Sequence, residues 1–570
     1  MADPVAGDRI RARPWLAAYP PAVPAEIDVE RLGTLVDLID RSTRAYAERP
    51  ALISFGNSVS YRELGAFAAS VSAWLGSQGL AKGDRVALMM PNVAAYPAAL
   101  IGVLTAGCTA VNVNPLYTPR ELIGQLEDSG ARVLFVLENF AHTVAEALPM
   151  LPRLERVVLV GPGDCLGLKG KVIDFASRYV KRAVPVFELP PKITTRFNAV
   201  LRAGRKLPPH RVAVSPNDLA FLQYTGGTTG VAKAAMLTHR NIVANVEQSR
   251  LWFQVSGDDG QSRTMVTALP LYHIFALTAC FFFFLDIGGC CLLIANPRDV
   301  DGFVKTLATS KFTHLSGVNT LFNLLLNHPK LHTVDFSGSD GYHIAGGMAV
   351  QAAVAAKWKA ATGKALIEGY GLSETSPVVS INPVDLQEWS GTIGYPVPST
   401  EVVIRSAEGK DLPYGEPGEL CVRGPQVMAG YWNRPEETRN AMTPDGFFRT
   451  GDVATMSETG LIRIVDRMKD MILVSGFNVY PNEVEDVLAK HPAVLECAVV
   501  GERAEEGEIV VAHVVTKGEG IAADALKAHA REQLTGYKVP RRIVFHDSLP
   551  KTNVGKVLRR ALRDHSDACG

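Results

Sequence analysis

At 570 residues the chain is too long for one compact core and must fold as at least two domains. Hydrophobic residues make up 47% and charged residues 20%, a globular balance that excludes a disordered or fibrous protein. Lys plus Arg and Asp plus Glu stand at 58 each, so no net field draws the chain to nucleic acid or to an anionic membrane, although local patches can cancel in that sum.

No charged segment followed by an apolar core opens the chain, so a secretory signal is not expected. The cysteines (Cys108, Cys165, Cys280, Cys290, Cys291, Cys421, Cys497 and Cys569) form neither a CxxC pair nor a Cys/His cluster. They therefore support neither a zinc site nor a disulfide framework, and they suit a reducing cytoplasm. A proline-rich stretch over residues 14–27 reads as an extended arm lying over the surface.

From about residue 83 short β-rich runs alternate with helical ones. The spacing predicts strands over 86–90, 109–114 and 131–138, with helices over 93–106 and 119–128 between them. These strands are apolar throughout, as expected where helices cover both faces of a parallel sheet. A less regular, basic stretch spans 166–209. The alternation then resumes with strands over 219–224, 290–295, 312–317, 342–345 and 365–370, and helices over 319–327 and 350–362. The longest apolar run, 269–295, contains Pro270, His273, Asp286 and Gly288–Gly289, so it reads as a buried strand–helix–strand rather than a membrane span.

The texture changes near Pro396. Alternating short strands and Gly/Pro turns over 400–465 predict a small antiparallel β unit. Beyond Asp466, a helix over 483–490, strands over 495–500 and 509–516, a helix over 522–534, a further strand and a basic tail helix form a compact α+β module. The expected fold is α/β: a large N-terminal domain (1–465) of two related α/β sheets plus a small β unit, and a small mobile α+β C-terminal domain (466–570). The charged segment 466–470 is the candidate hinge.

The sharpest local signal is QYTGGTTGVAKAAMLTHRN at 223–241. An apolar run ends at Tyr224, and Thr225, Gly226, Gly227, Thr228, Thr229 and Gly230 follow. Glycines let successive backbone N–H groups turn toward an anion, threonine hydroxyls add donors, and Lys233 adds a mobile positive charge. The string is no Walker A loop, because Ala234 follows the lysine where Ser or Thr would be needed.

This loop resembles the phosphate loop of the adenylate-forming superfamily of acyl-CoA synthetases, adenylation domains and luciferases. The resemblance runs in order through PLYHIFAL (270–277), GYGLSETSP (369–377), GFFRTGDVA (446–454), DRMKDMILVSGFNVYPNEVE (466–485) and PKTNVGKVLRR (550–560). Its wording is nearest to bacterial long-chain fatty-acid–CoA ligases.

The resemblance implies ATP, Mg²⁺ and coenzyme A as cofactor and co-substrates, and a fatty acid as partner. It implies adenine against Tyr370 and Gly371, with Gly346–Gly347 and Ser373 beside them. Mg²⁺ would fall to Glu374 with Thr225, a hard carboxylate being suited to a metal that bridges phosphates. Asp452 would accept from both ribose hydroxyls, and Arg467 would reach the ribose or phosphate. Lys556 would bridge the carboxylate and α-phosphate during adenylation, Lys469 would sit at the hinge, and His273 would border the carboxylate and acyl tunnel. The tunnel would run along the Phe-rich wall at 275–285, the helix near Leu251–Phe253 and the strand before Gly346.

Ala234 and Ala345 depart from glycines common in close relatives, and each adds a methyl where nucleotide affinity could suffer. Alternatives within the same chemistry are an aryl-acid ligase and an acyl-AMP ligase that loads a carrier protein. From another class, a catalytically weak acyl-nucleotide binder is disfavoured by the intact Lys556 and Glu374. The resemblance also implies a cytoplasmic enzyme able to touch the inner face of the membrane, where its substrate partitions, and able to form homodimers.

Overall fold

The computed structural model describes residues 13–225, 232–256, 259–339, 341–474, 477–504, 507–518, 520–552 and 555–567. Its first sheet has seven strands in the order Thr194–Arg196, Arg156–Val160, Val133–Leu137, Arg85–Met89, Thr109–Asn112, Leu219–Tyr224 and Ala234–Thr238. All neighbours are parallel except the last pair, which is antiparallel. Apolar residues bury both faces, as the continuous runs of Val, Leu and Phe require. The chain reaches Tyr224 at the C-terminal end of a parallel strand next to the sheet edge, where α/β folds leave room for ligands.

The second sheet has nine strands and interleaves distant segments. Its centre is the parallel set Cys290–Leu293, Thr264–Thr267, His314–Gly317, His343–Gly346 and Leu366–Gly371. Pro50–Ser54 pairs with Cys290–Leu293, so the chain visits this sheet before building the first one. Sequence periodicity did not reveal that strand, its antiparallel neighbour Asn57–Ser60, or the helices Leu35–Ala45 and Tyr61–Ser77. Both helices begin with capping boxes, Thr34 with Asp37 and Ser60 with Glu63. In the run 269–295 no strand forms at the start. The preceding strand is Thr264–Thr267, and a loop leads into a helical stretch at Ala276–Phe282 that continues as Phe283–Asp286. Among the described residues no helix is long and apolar enough to cross a membrane.

Two expectations are corrected here. The proline-rich arm is anchored: Trp15 is buried in the core of the small β unit, and the Tyr19 hydroxyl donates to Pro396 O at 2.5 Å while its ring meets Trp252 edge-on. The stretch 166–209 holds regular elements, the helix Gly167–Phe175, the edge strand Thr194–Arg196 and the helix Phe197–Gly204.

The small β unit is the antiparallel sheet Glu401–Arg405, Gly418–Arg423, Phe448–Met456 and Ile462–Arg467. Its last strand ends at Arg467, and a turn leads to Ile472–Val474 in the C-terminal module. That module packs the helices Pro481–Ala489 and Ala523–Arg531 on the sheet Val494–Ala504, Gly507–Thr516 and Arg542–Phe545. It touches the N-terminal body through Asn323, which donates to Leu495 O at 3.0 Å, and Thr320, which donates to Gly555 O at 2.9 Å.

Candidate active site

A cleft of about 1480 Å³ opens where the second sheet, the small β unit and the C-terminal module meet. It gathers Thr225, His273, Gly346, Gly347, Tyr370, Gly371, Ser373, Glu374, Asp452, Arg467, Lys469 and Lys556, residues far apart in sequence. Lys233 joins them through its amine, 5.3 Å above the Tyr431 ring. Gly226, Gly227, Thr228, Thr229 and Gly230 lie outside the described residues. Thr225 just before them donates its N–H to Lys233 O at 2.9 Å, which fixes both ends of that segment.

The polar end is a network of paired charges. Asp452 and Arg467 face each other across the two last strands of the small sheet, and Arg467 Nε lies 3.4 Å from Asp452 Oδ1. The other carboxylate oxygen accepts from the Tyr370 hydroxyl at 2.5 Å. Burial and the neighbouring Asp452 push the Tyr370 phenol well above its usual range, so it stays a donor. Glu374 is buried, and its Oε1 accepts from the Tyr431 hydroxyl at 2.8 Å while its backbone carbonyl accepts from Met428 N. Burial raises the Glu374 carboxyl. Among the described residues no three His, Cys, Asp or Glu are grouped to hold a metal, and Glu374 has Asp452 as a neighbouring acid. That donor set suits Mg²⁺, which is commonly held by one or two carboxylates with substrate phosphates completing its shell.

Lys556 enters this network from the C-terminal module. The turn carrying it closes on itself, with Thr552 N donating to Lys556 O at 2.6 Å and Gly555 at φ +84°. The side chain reaches Gly347, where a Cβ would stand 3.6 Å from the lysine Cε. Burial, with Arg467 and Lys469 adding to it, lowers the amine to about 8, while Asp452 and Glu374 pull it back up. Burial, and behind it the charge of Lys556, lowers the imidazole of His273 to about 3, so the ring is neutral at any physiological pH. Its Nδ1 accepts from Phe275 N at 3.4 Å. Lys469 lies in the exposed turn after Arg467.

The glycines serve different ends. Gly347 has φ +78°, a left-handed conformation that leaves its open side to Lys556. Gly371 is demanded by the protein itself, because a Cβ there would lie 1.8 Å from Pro377 O in the following hairpin. The concern over Ala234 and Ala345 also resolves in the strands. Ile344 and Gly346 line the cleft, and Ala345, alternating with them, points its methyl into the main core. Ala234 is buried in the core beneath the first sheet.

The apolar end is built by one helix and its neighbours. Of the Phe-rich run only Phe275, Ala279 and Phe283 line the cleft, four residues apart on one face. Phe281, Phe282 and Phe284 are buried in the core instead. Phe253 and Ile344 complete this wall, and Leu251 does not reach it.

Sequence reasoning missed Tyr431, the buried acceptor Glu368 and its donor Trp389. The Trp389 Nε1 donates to Glu368 at 2.6 Å and Val350 N donates to the other oxygen at 3.0 Å, and burial raises this carboxyl to about 7. The one available signal was that a carboxylate inside an apolar strand must find donors.

Residues 39–432 match the family model described as AMP-binding enzyme, and residues 483–556 match its C-terminal domain. The chain is 51% identical to a long-chain-fatty-acid–CoA ligase of Yersinia pestis over 98% of both chains. It is 47% identical to the ligase of the same name from Haemophilus influenzae, over 97% of this chain and 98% of that one. An anthranilate CoA ligase solved with anthranoyl-AMP superposes with a TM-score of 0.82 at 25% identity, covering 96% of this chain and 99% of the other. The chain belongs to the AMP-binding enzyme family. The family's two matched spans leave out 433–482, the stretch that holds Asp452, Arg467 and Lys469, and the second span ends on Lys556.

Proposed function

We propose that this chain is a long-chain fatty-acid–CoA ligase that works through an acyl-AMP intermediate. The observation that carries the reading is the convergence of Lys556 with Asp452, Arg467 and Glu374 beside an apolar wall. An apolar tail and a charged head have separate places in one cleft. The ligases of Yersinia pestis and Haemophilus influenzae, similar over nearly their whole length, support the fatty acid and coenzyme A as substrates.

In the first step a carboxylate oxygen attacks the α-phosphorus of ATP, and the bond to pyrophosphate breaks. Two anions must approach, and negative charge builds on the phosphoryl oxygens. The ammonium of Lys556 would bridge them, an interaction worth most in a site closed to water. Asp452 accepts from the ribose hydroxyls, Arg467 stays beside it, and Tyr370 offers its ring to adenine. The neutral His273 borders the carboxylate without adding a competing charge. Thr225 and Lys233 would face the phosphates, and Glu374 with Thr225 would hold Mg²⁺, which neutralises phosphate charge when bound.

In the second step the thiol sulfur of coenzyme A attacks the acyl carbon, the bond to AMP breaks and the thiol proton leaves to water. For this Lys556 withdraws as the C-terminal module turns about residues 466–469, with Lys469 at the pivot. The test is ATP–pyrophosphate exchange and AMP release with purified protein across acids of increasing length, with and without coenzyme A. Coenzyme A-dependent turnover that rises with chain length is the expected result. Exchange that prefers aryl acids, or AMP release indifferent to coenzyme A, would overturn the reading.

A further inference from the structure

Six of the fifteen large hydrophobic side chains exposed among the described residues fall between 168 and 186. They belong to the helix Gly167–Phe175, its continuation Ala176–Val180 and the loop beyond. Leu168, Val172, Phe175 and Tyr179 stand at i, i+4, i+7 and i+11, a single helical stripe, yet they are 78%, 68%, 60% and 61% exposed.

The helix is inverted relative to an ordinary surface helix. Polar groups hold it to the body: Asp174 accepts from Gly163 N at 2.7 Å, and Arg178 pairs with the buried Glu138. Gly163 and Gly170 fix its seat, since a Cβ on either would lie 2.0 Å or less from the other's carbonyl oxygen. The apolar stripe therefore cannot roll inward. The rings of Phe175 and Tyr179 pack on each other 5.0 Å apart on the outside.

Charge names the occupant. Lys169, Lys171, Lys181 and Arg182 flank the stripe, all exposed. The only acid between 167 and 186 is Asp174, which is turned inward. A second copy of the chain docking by the same face across a two-fold axis would bring these cations together. We propose that this helix is a docking face for an anionic phospholipid bilayer, lying in the interface with its apolar stripe among the acyl chains and its cations at the headgroups. It connects Arg156–Val160 to the edge strand Thr194–Arg196, on the side of the first sheet farthest from Leu219–Tyr224 and Ala234–Thr238, and none of its residues lines the cleft, so it anchors the protein rather than forming the cleft wall.

The test is co-sedimentation of the full chain with vesicles of equal phosphatidylglycerol and phosphatidylcholine, and with phosphatidylcholine alone. Binding to the anionic vesicles is expected, weakened at least about tenfold on the neutral vesicles or in high salt. Val172→Glu with Phe175→Glu should lower it by at least about tenfold, and Lys171→Gln with Lys181→Gln and Arg182→Gln by a smaller factor. Both variants alter exposed positions, and circular dichroism and pyrophosphate exchange with a water-soluble short acid should match the parent. Absence of vesicle binding, equal binding by the Glu variant, or a dimer that this variant dissociates without any vesicle binding would each overturn the proposal. Binding is read without catalysis, so its failure leaves the ligase reading standing, and failure of the ligase reading leaves the docking result intact.

Discussion

At the polar end of the cleft Asp452 accepts from Tyr370 and pairs with Arg467, Glu374 accepts from Tyr431, and Lys556 enters from the C-terminal module, so the site is assembled from several distant stretches of chain. At the apolar end Phe275, Ala279 and Phe283 come from one helical stretch and present apolar side chains to the cleft. The first kind of site depends on geometry assembled by two domains, and the second on volume. Substitutions at the polar end should therefore act on rate for every substrate, and those at the apolar end should act on which substrate is used.

The largest effect is expected from Lys556→Ala. Adenylation, read by pyrophosphate exchange, should fall roughly 10²–10³-fold, as when a preorganised charge partner is removed. Thioester formation from supplied acyl-AMP should fall far less. Equal loss in both half-reactions would break the division of labour proposed for the two domain positions. Asp452→Ala comes next. It strips the partner from Arg467 and Tyr370 as well as the ribose acceptor, so kcat/KM for ATP should fall by about 10²-fold while the preference among acids stays the same.

The pH profile sharpens the comparison. The Lys556 amine lies below its usual range, at about 8, so it is charged below that pH and neutral above it. In the free enzyme kcat/KM for ATP in adenylation should therefore decline as pH rises through about 8. The thioester step, with this lysine withdrawn, should show no such decline from it. At the apolar end, Ala279→Leu should cut activity on the longest acids by about tenfold and spare short ones, the scale expected for a lost methylene's space. Smallest of all, Ala345→Gly should leave KM for ATP within about twofold. Its methyl lies in the core, and its loss should cost roughly 1 kcal/mol of stability in denaturant unfolding.

Much of this was legible along the chain because the relevant signals are local. The alternation of apolar strands and helices from 83 onward reflects burial on both faces of a sheet, and the observed strands Arg85–Met89, Leu219–Tyr224 and Leu366–Gly371 fall within a residue of the expected positions. The motifs also named Tyr370, Asp452 and Lys556, which the structure brings into one cleft. The place of the strand Pro50–Ser54 was not legible, because its parallel partner is Cys290–Leu293 and no local period encodes a pairing between segments so far apart in the chain. The strap formed by Trp15 and Tyr19 escaped for the same reason.

What the sequence by itself determined was which groups are present and which short segments carry them: the threonine–glycine loop, the carboxylates, the lysine near the end and the Phe-rich run. Only the tertiary structure decided which of those groups meet. It turned Phe275, Ala279 and Phe283 toward the cleft and Phe281 and Phe282 into the core by helical phase, directed the Ala345 methyl into the core by strand alternation, and found in Tyr431 the donor that Glu374 needed. Direction and partnership follow from packing between segments distant in sequence, and neither is written in any one segment.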